Sequence, residues 1–142
     1  AIRNEMRLIS IVLGTASSKA RIDGSQALLN YGYRFFSTET LLRANEEIIN
    51  AKTWKAENDS TSIGIADDLT ITLPKGASKR LVYENNLPDI IEGPIISKKK
   101  IGSVSIKLDD ETIETVPLVA LEDNPSGGIL KQIQDTIQLW FE

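Results

Sequence analysis

Ile101-Gly102-Ser103-Val104-Ser105-Ile106-Lys107-Leu108 is the stretch on which the fold turns. Ser103, Ser105 and Lys107 alternate with Val104, Ile106 and Leu108, a period of two. A strand with that period sets one face on a core and the other in water, the pattern of an antiparallel, half-solvated sheet. Asp109-Asp110-Glu111 reads as a compact acidic hairpin loop. Glu114–Leu121 is then the returning strand, with Pro117 expected to confine it to an edge or an end, as Pro88 does for its own strand. Further short runs lie at Thr40–Ala44, Ile48–Trp54, Thr61–Ile65, Leu69–Leu73 and Lys79–Tyr83, punctuated by Pro74-Lys75-Gly76 and Glu92-Gly93-Pro94. Short strands at such spacing predict a mainly β chain, with an antiparallel β-sandwich over residues 38–123.

Outside that region the period changes. Arg7–Gly14 is β-branched and nearly all apolar after Arg7, which predicts a strand covered on both faces. Ala1-Ile2-Arg3 followed by Asn4-Glu5 reads as a strand entering a tight turn, so the chain is expected to begin inside a hairpin and to lack an N-terminal part. Ser17 or Ser18 can cap a helix running to Phe36, with Ile22, Leu28, Leu29, Phe35 and Phe36 near helical spacing. Gly24 and Gly32 each cost that helix about 1 kcal/mol against Ala, so they predict close approach by a neighbouring element. One strand and one helix over residues 1–37 make no core by themselves.

At the other end, residues 124–142 begin with Asn124-Pro125-Ser126-Gly127-Gly128, a flexible linker by composition. Ile129 to Phe141 then predicts a strongly amphipathic helix. Ile129, Leu130, Ile133, Ile137, Trp140 and Phe141 fall on one side, and Lys131, Gln132, Gln134, Asp135, Thr136 and Gln138 on the other. Such a helix ordinarily lays its apolar side on a core. On the residues alone docking on the sandwich is the favoured expectation; the glycine-containing linker and the terminal Trp-Phe pair pull the other way, towards a membrane interface with those six apolar residues as the membrane-binding set. Lys131 is its only base, so binding is expected to rest on apolar insertion rather than on anionic lipid.

Composition removes most familiar chemistry. The 142 residues include no His and no Cys, which excludes a Ser-His-Asp triad, a thiol nucleophile and the usual zinc sites, and no metal or cofactor is expected. No apolar run approaches the roughly 18 residues of a spanning helix. The net charge is −4 and only Lys98, Lys99 and Lys100 cluster, so no nucleic-acid partner is expected. Ser97-Lys98-Lys99-Lys100 has the Ser-x-x-Lys spacing of penicillin-recognising enzymes, but Pro94 and Gly102 bracket a turn there and an exposed lysine keeps its proton. Lys52-Thr53-Trp54 misses Lys-Thr-Gly by its last residue. The residues alone carry no complete catalytic constellation.

Met6-Arg7-Leu8-Ile9-Ser10-Ile11-Val12-Leu13-Gly14, Arg21, and Leu28-Leu29-Asn30-Tyr31-Gly32-Tyr33-Arg34-Phe35-Phe36 together resemble the end of the catalytic domain in the low-molecular-mass penicillin-binding proteins, the serine D-alanyl-D-alanine carboxypeptidases. Trp54, Leu73-Pro74-Lys75-Gly76, Gly93-Pro94, Ile101-Gly102 and Pro117-Leu118-Val119 are similar to the family's β-rich C-terminal domain, so the resemblance spans essentially the whole chain. It implies that the acylated serine, its lysine, the Ser-x-Asn group and the Lys-Thr-Gly strand all precede Ala1, that the partner of this chain is an N-terminal catalytic domain, and that the parent enzyme trims terminal D-alanine from peptidoglycan stem peptides. It matches Arg21 to the family arginine near the active-site side, a substrate-binding role. The residues alone read Arg21 as a salt bridge fixing the helix start. It also implies a terminal helix lying on the outer face of the inner membrane, in the bacterial periplasm. A free-standing β-sandwich binding or scaffolding module, with no enzyme behind it, is the rival expectation.

Overall fold

The computed structural model describes residues 1–4 and 6–139, with the backbone alone for Leu130 and Leu139. The chain divides into two compact units, residues 1–41 with 70–80, and residues 42–69 with 81 onward.

In the first unit, β1 (Ile2–Arg3) and β2 (Met6–Arg7) form the expected hairpin, pairing Ile2 with Arg7 and Arg3 with Met6. Asn4 makes the turn at φ +47°, a conformation asparagine tolerates better than most side chains. The strand expected over Arg7–Gly14 is realised only at its first residue. Leu8 still exchanges hydrogen bonds with Ala1 at 2.9 and 2.8 Å, but a strand requires a ladder partner, and among the described residues none runs beside Ile9–Leu13; Ile9, Ile11 and Leu13 stand 74–86% exposed. α1 (Ser18–Phe35) is capped by Ser17, whose Oγ accepts from the Ala20 N–H at 3.1 Å. Its two glycines do mark close approach. A Cβ on Gly32 would collide with the Leu8 side chain, and one on Gly24 would touch Val12 at 3.5 Å.

The chain leaves α1 directly into β3 (Phe36–Leu42), because Phe36 is already extended at φ −121°. The strand therefore starts four residues before the predicted Thr40. β3 pairs with β6 (Leu69–Pro74), and hydroxyls match across the pair, Thr38 to Thr72 at 2.9 Å and Thr40 to Thr70 at 3.1 Å. Lys75 ties this pair to the helix end, donating its N–H to the Phe35 carbonyl and its Nζ to that of Tyr33.

The second unit is a five-stranded antiparallel sheet in the order β4 (Ile49–Lys52), β5 (Ser60–Gly64), β9 (Glu111–Ala120), β8 (Lys100–Leu108), β7 (Leu81–Asn86). The strand expected at Lys79–Tyr83 begins later, at Leu81. Ala77–Arg80 is a 3₁₀ turn instead, since Gly76 at φ +82° reverses the chain and tucks Ala77 inside. The alternation along β8 is observed: Val104 and Ile106 are 1% and 0% exposed, with Ser103, Ser105 and Lys107 half-buried on the other face.

Asp109 and Asp110 make the two-residue turn between β8 and β9, both at positive φ (51° and 68°), as a twisted hairpin demands. Asp110→Gly, which relieves one of these conformations, is expected to raise stability by about 0.5–1 kcal/mol in urea unfolding with an unchanged m-value.

Pro117 was expected at an edge or an end, and it lies within β9, a strand with neighbours on both sides. The ladder of β9 with β5 involves only Val119 and Ala120, so at Pro117 β9 has a partner on one side alone, where a missing N–H is tolerated. The core gathers Ile63, Val104, Leu118 and Ala120 from the sheet, Ile65 just past β5, and Ile91 and Ile95 from the strandless segment after β7.

Residues 124–128 are not the flexible linker that their composition suggests. Asn124 is 1% exposed and exchanges backbone hydrogen bonds with Ile95 at 2.8 and 2.9 Å, while its side chain is bound on every side. Gly127 passes so close to Ala56 that a Cβ would sit 2.7 Å from the Ala56 carbonyl oxygen. Glycine is needed here for close approach, not for freedom.

Candidate functional site

The last described element, α2 (Ile129–Leu139), sits on ground prepared by the segment between β4 and β5. Lys55 lies there at φ +59°, outside any strand ladder, and its carbonyl accepts from the Gly127 N–H at 2.9 Å. Its own N–H donates to Asp135 Oδ2 at 2.7 Å. One turn earlier on the helix, Lys131 Nζ donates to the Glu57 carbonyl at 2.8 Å and pairs with Asp59 at 2.7 Å. The Lys131 hydrogen bond and charge, with a further contribution from Lys52, hold the Asp59 carboxyl below its ordinary value. Gln132 closes the first turn by donating to the Gly127 carbonyl at 2.8 Å.

The edge of α2 that carries Lys131 and Asp135 therefore faces the protein. Asp135 is 8% exposed, whereas Ile129, Ile133 and Ile137, spaced four apart, are 79%, 54% and 56% exposed and line a shallow groove of about 310 Å³ with Gln132 and Thr136. Gln134 and Gln138 border a separate cleft of about 660 Å³ that is also lined by Lys52, Trp54 and Asp59. In it Lys52 Nζ stands 3.7 Å from the centre of the Trp54 ring, a cation–π contact.

The family described as penicillin-binding protein 5, C-terminal domain, matches residues 36–126. The chain belongs to that family. It is 35% identical to D-alanyl-D-alanine carboxypeptidase DacA of Escherichia coli K12 over 99% of this chain and 35% of the relative. It is 28% identical to DacC of the same organism, over 99% of this chain and 36% of the relative. Among solved structures it is similar to penicillin binding protein 5 from Haemophilus influenzae, with a TM-score of 0.73, 28% identity, and coverage of 81% of this chain and 34% of that one. DacD from Francisella tularensis matches with a TM-score of 0.64 at 26% identity, covering 89% of this chain and 32% of that one. The chain spans about a third of the length of the curated relatives it matches.

The residues picked out from sequence are scattered along the chain, Arg21 and Ile129–Ile137 lying outside the matched residues 36–126. Arg21 is exposed on the first turn of α1, its N–H donating to the Ser17 carbonyl. Ser97 and Lys100 do not share a helical turn. Ser97 Oγ donates to the Leu121 carbonyl at 3.2 Å, Lys98 sits at φ +64°, and Lys100 opens β8. Among the described residues no cluster of carboxylates could hold a metal ion. Of the six residues expected to bind membrane, Ile129, Ile133 and Ile137 share the outward stripe. The Leu130 side chain, Trp140 and Phe141 lie outside the described residues.

The sequence did not disclose the docking partners Lys55, Glu57 and Asp59. The only signal on the helix was the spacing of Lys131 and Asp135, four apart and on one face.

Proposed function

We propose that this chain is the C-terminal portion of a D-alanyl-D-alanine carboxypeptidase, serving as stalk and membrane anchor for a catalytic domain encoded before Ala1. In the parent enzyme a serine of that domain is acylated by a peptidoglycan stem peptide, terminal D-alanine leaves, and water releases the shortened peptide. The apolar sides of Ile9, Ile11 and Leu13 and of α1 are the surface this catalytic domain covers. Arg21 belongs to that part, as a helix-start residue near the substrate side. The setting is the bacterial periplasm, on the outer face of the inner membrane.

One observation carries the anchor: an amphipathic helix docked through Lys131 and Asp135, with Ile129, Ile133 and Ile137 pointing to solvent. The attachment proposed is interfacial, because an amphipathic helix with one apolar stripe lies in the plane of the headgroups; no helix among the described residues is long and apolar enough to cross a membrane. The double variant Ile133→Asp, Ile137→Asp is expected to weaken co-sedimentation with phosphatidylcholine vesicles about a hundredfold, from roughly 3 kcal/mol of lost apolar insertion. Because Lys131, the only base of the helix, is already engaged, binding should change little between low and moderate salt. Undiminished sedimentation of the double variant would sink this reading.

A further inference from the structure

The arrangement of α2 is the reverse of what an amphipathic helix ordinarily does, since burying Ile129, Ile133 and Ile137 against the nearest protein surface would remove apolar area from water. The ground beneath the helix explains the reversal. It presents the Lys55 N–H, the Glu57 carbonyl and the Asp59 carboxylate, all of which find partners on α2. Isoleucines laid over these groups would strip their water and return no hydrogen bond. The start of the helix is pinned as well, through the Gly127 N–H on the Lys55 carbonyl and the contact of Gly127 with Ala56.

We propose that this polar docking is a latch that keeps α2 folded and sets its rotation before it meets a bilayer, with Asp135 as the positioning residue. The inference rests on the anchor reading above and adds how the anchor is prepared. α2 has 11 described residues, a length at which an isolated helix is marginal in water. Freed of the latch it would melt, and binding lipid would then have to supply the ordering of the helix as well. Latched, it offers a formed apolar stripe at a fixed angle to the sheet, so only insertion remains. The occupant is a lipid surface rather than an anionic protein, because the stripe carries no cation of its own and Lys131 is turned inward.

The test uses the whole chain with two readouts. In lipid-free buffer, hydrogen exchange of the Lys55 amide, followed by NMR, should accelerate at least tenfold in Asp135→Ala while β8 and β9 amides keep their rates. Asp135→Asn keeps an oxygen acceptor in place and should recover much of the protection. With phosphatidylcholine vesicles, Asp135→Ala should bind about tenfold more weakly than the parent chain, reflecting the reduced fraction of formed helix. An unchanged Lys55 exchange rate in Asp135→Ala would overturn the latch. So would vesicle binding at full strength once Lys55 has been released. A parent chain whose Lys55 is protected but which ignores vesicles would instead overturn the anchor reading, leaving the docked helix without its membrane role.

Discussion

Asn124→Ala is expected to destabilise the chain by about 3 kcal/mol and to lower its melting temperature by about 10 °C. The Asn124 side chain accepts from the Asn58 N–H at 3.0 Å and donates from Nδ2 towards the Asn58 carbonyl, the Ser60 carbonyl and Thr61 Oγ1 at 3.1, 3.2 and 2.9 Å. A relay follows in a direction fixed by its far end. Thr53 uses its hydroxyl proton on the Ala51 carbonyl, so it accepts from Thr61 at 2.8 Å, and Thr61 in turn accepts from Asn124. Thr53, Thr61 and Asn124 are all 2% exposed or less, and water does not easily replace the lost amide. Truncation orphans one donor and leaves the acceptors unmet, each at a cost of about 1 kcal/mol or more. Asn124→Asp should fare no better, because a carboxylate would face two carbonyl oxygens. Urea unfolding is the measurement, and a loss below 1 kcal/mol for Asn124→Ala would show that the hub is dispensable.

The second large effect is a contrast within the chain. α1 has no buried residue, and Ile22, Leu28, Tyr31 and Phe35 are 47–60% exposed along it. An 18-residue helix gains little from propensity alone, and this one carries two glycines in its interior. β8 and β9, by contrast, hold Val104, Ile106 and Leu118 at the centre of the core. Amides of α1 are therefore expected to exchange about a thousandfold faster than those of β8 and β9, opening locally where the sheet requires global unfolding. Equal protection of the two would contradict the proposal that α1 awaits a covering domain. Adding that domain in the parent enzyme should slow α1 exchange towards the rate of the sheet.

What could be read from sequence followed from how far each signal reaches. The alternation around Val104 and Ile106 is local, and it placed β8 and its core face correctly, while Ser103, Ser105 and Lys107 are half-buried rather than fully in water. The Arg7–Gly14 run told of apolar character but not of a partner, and pairing is what makes a strand. Asn124-Pro125-Ser126-Gly127-Gly128 has a linker's composition, yet the partners that immobilise Asn124 lie more than 60 residues earlier, at Asn58 to Thr61. The same holds for α2. Its two faces were plain from residues 129–141, but which face docks depends on Lys55 and its neighbours, whose exposed backbone groups no periodicity announces. The outward set of Ile129, Ile133 and Ile137 was thus legible as a stripe, and its orientation was not.

The hairpin of β8 and β9 also bears on how quickly the protein can assemble. Its strands are joined by two residues, so their pairing needs almost no loop closure and can form on the order of 1–10 μs. The seam between β5 and β9 joins Ile63 to Ala120, across an intervening stretch that must first be drawn together. A chain that commits early to the hairpin carries its benefit into the barrier crossing. The gain from Asp110→Gly should then appear as faster folding, whereas damage at the Ile63–Ala120 seam should appear as faster unfolding.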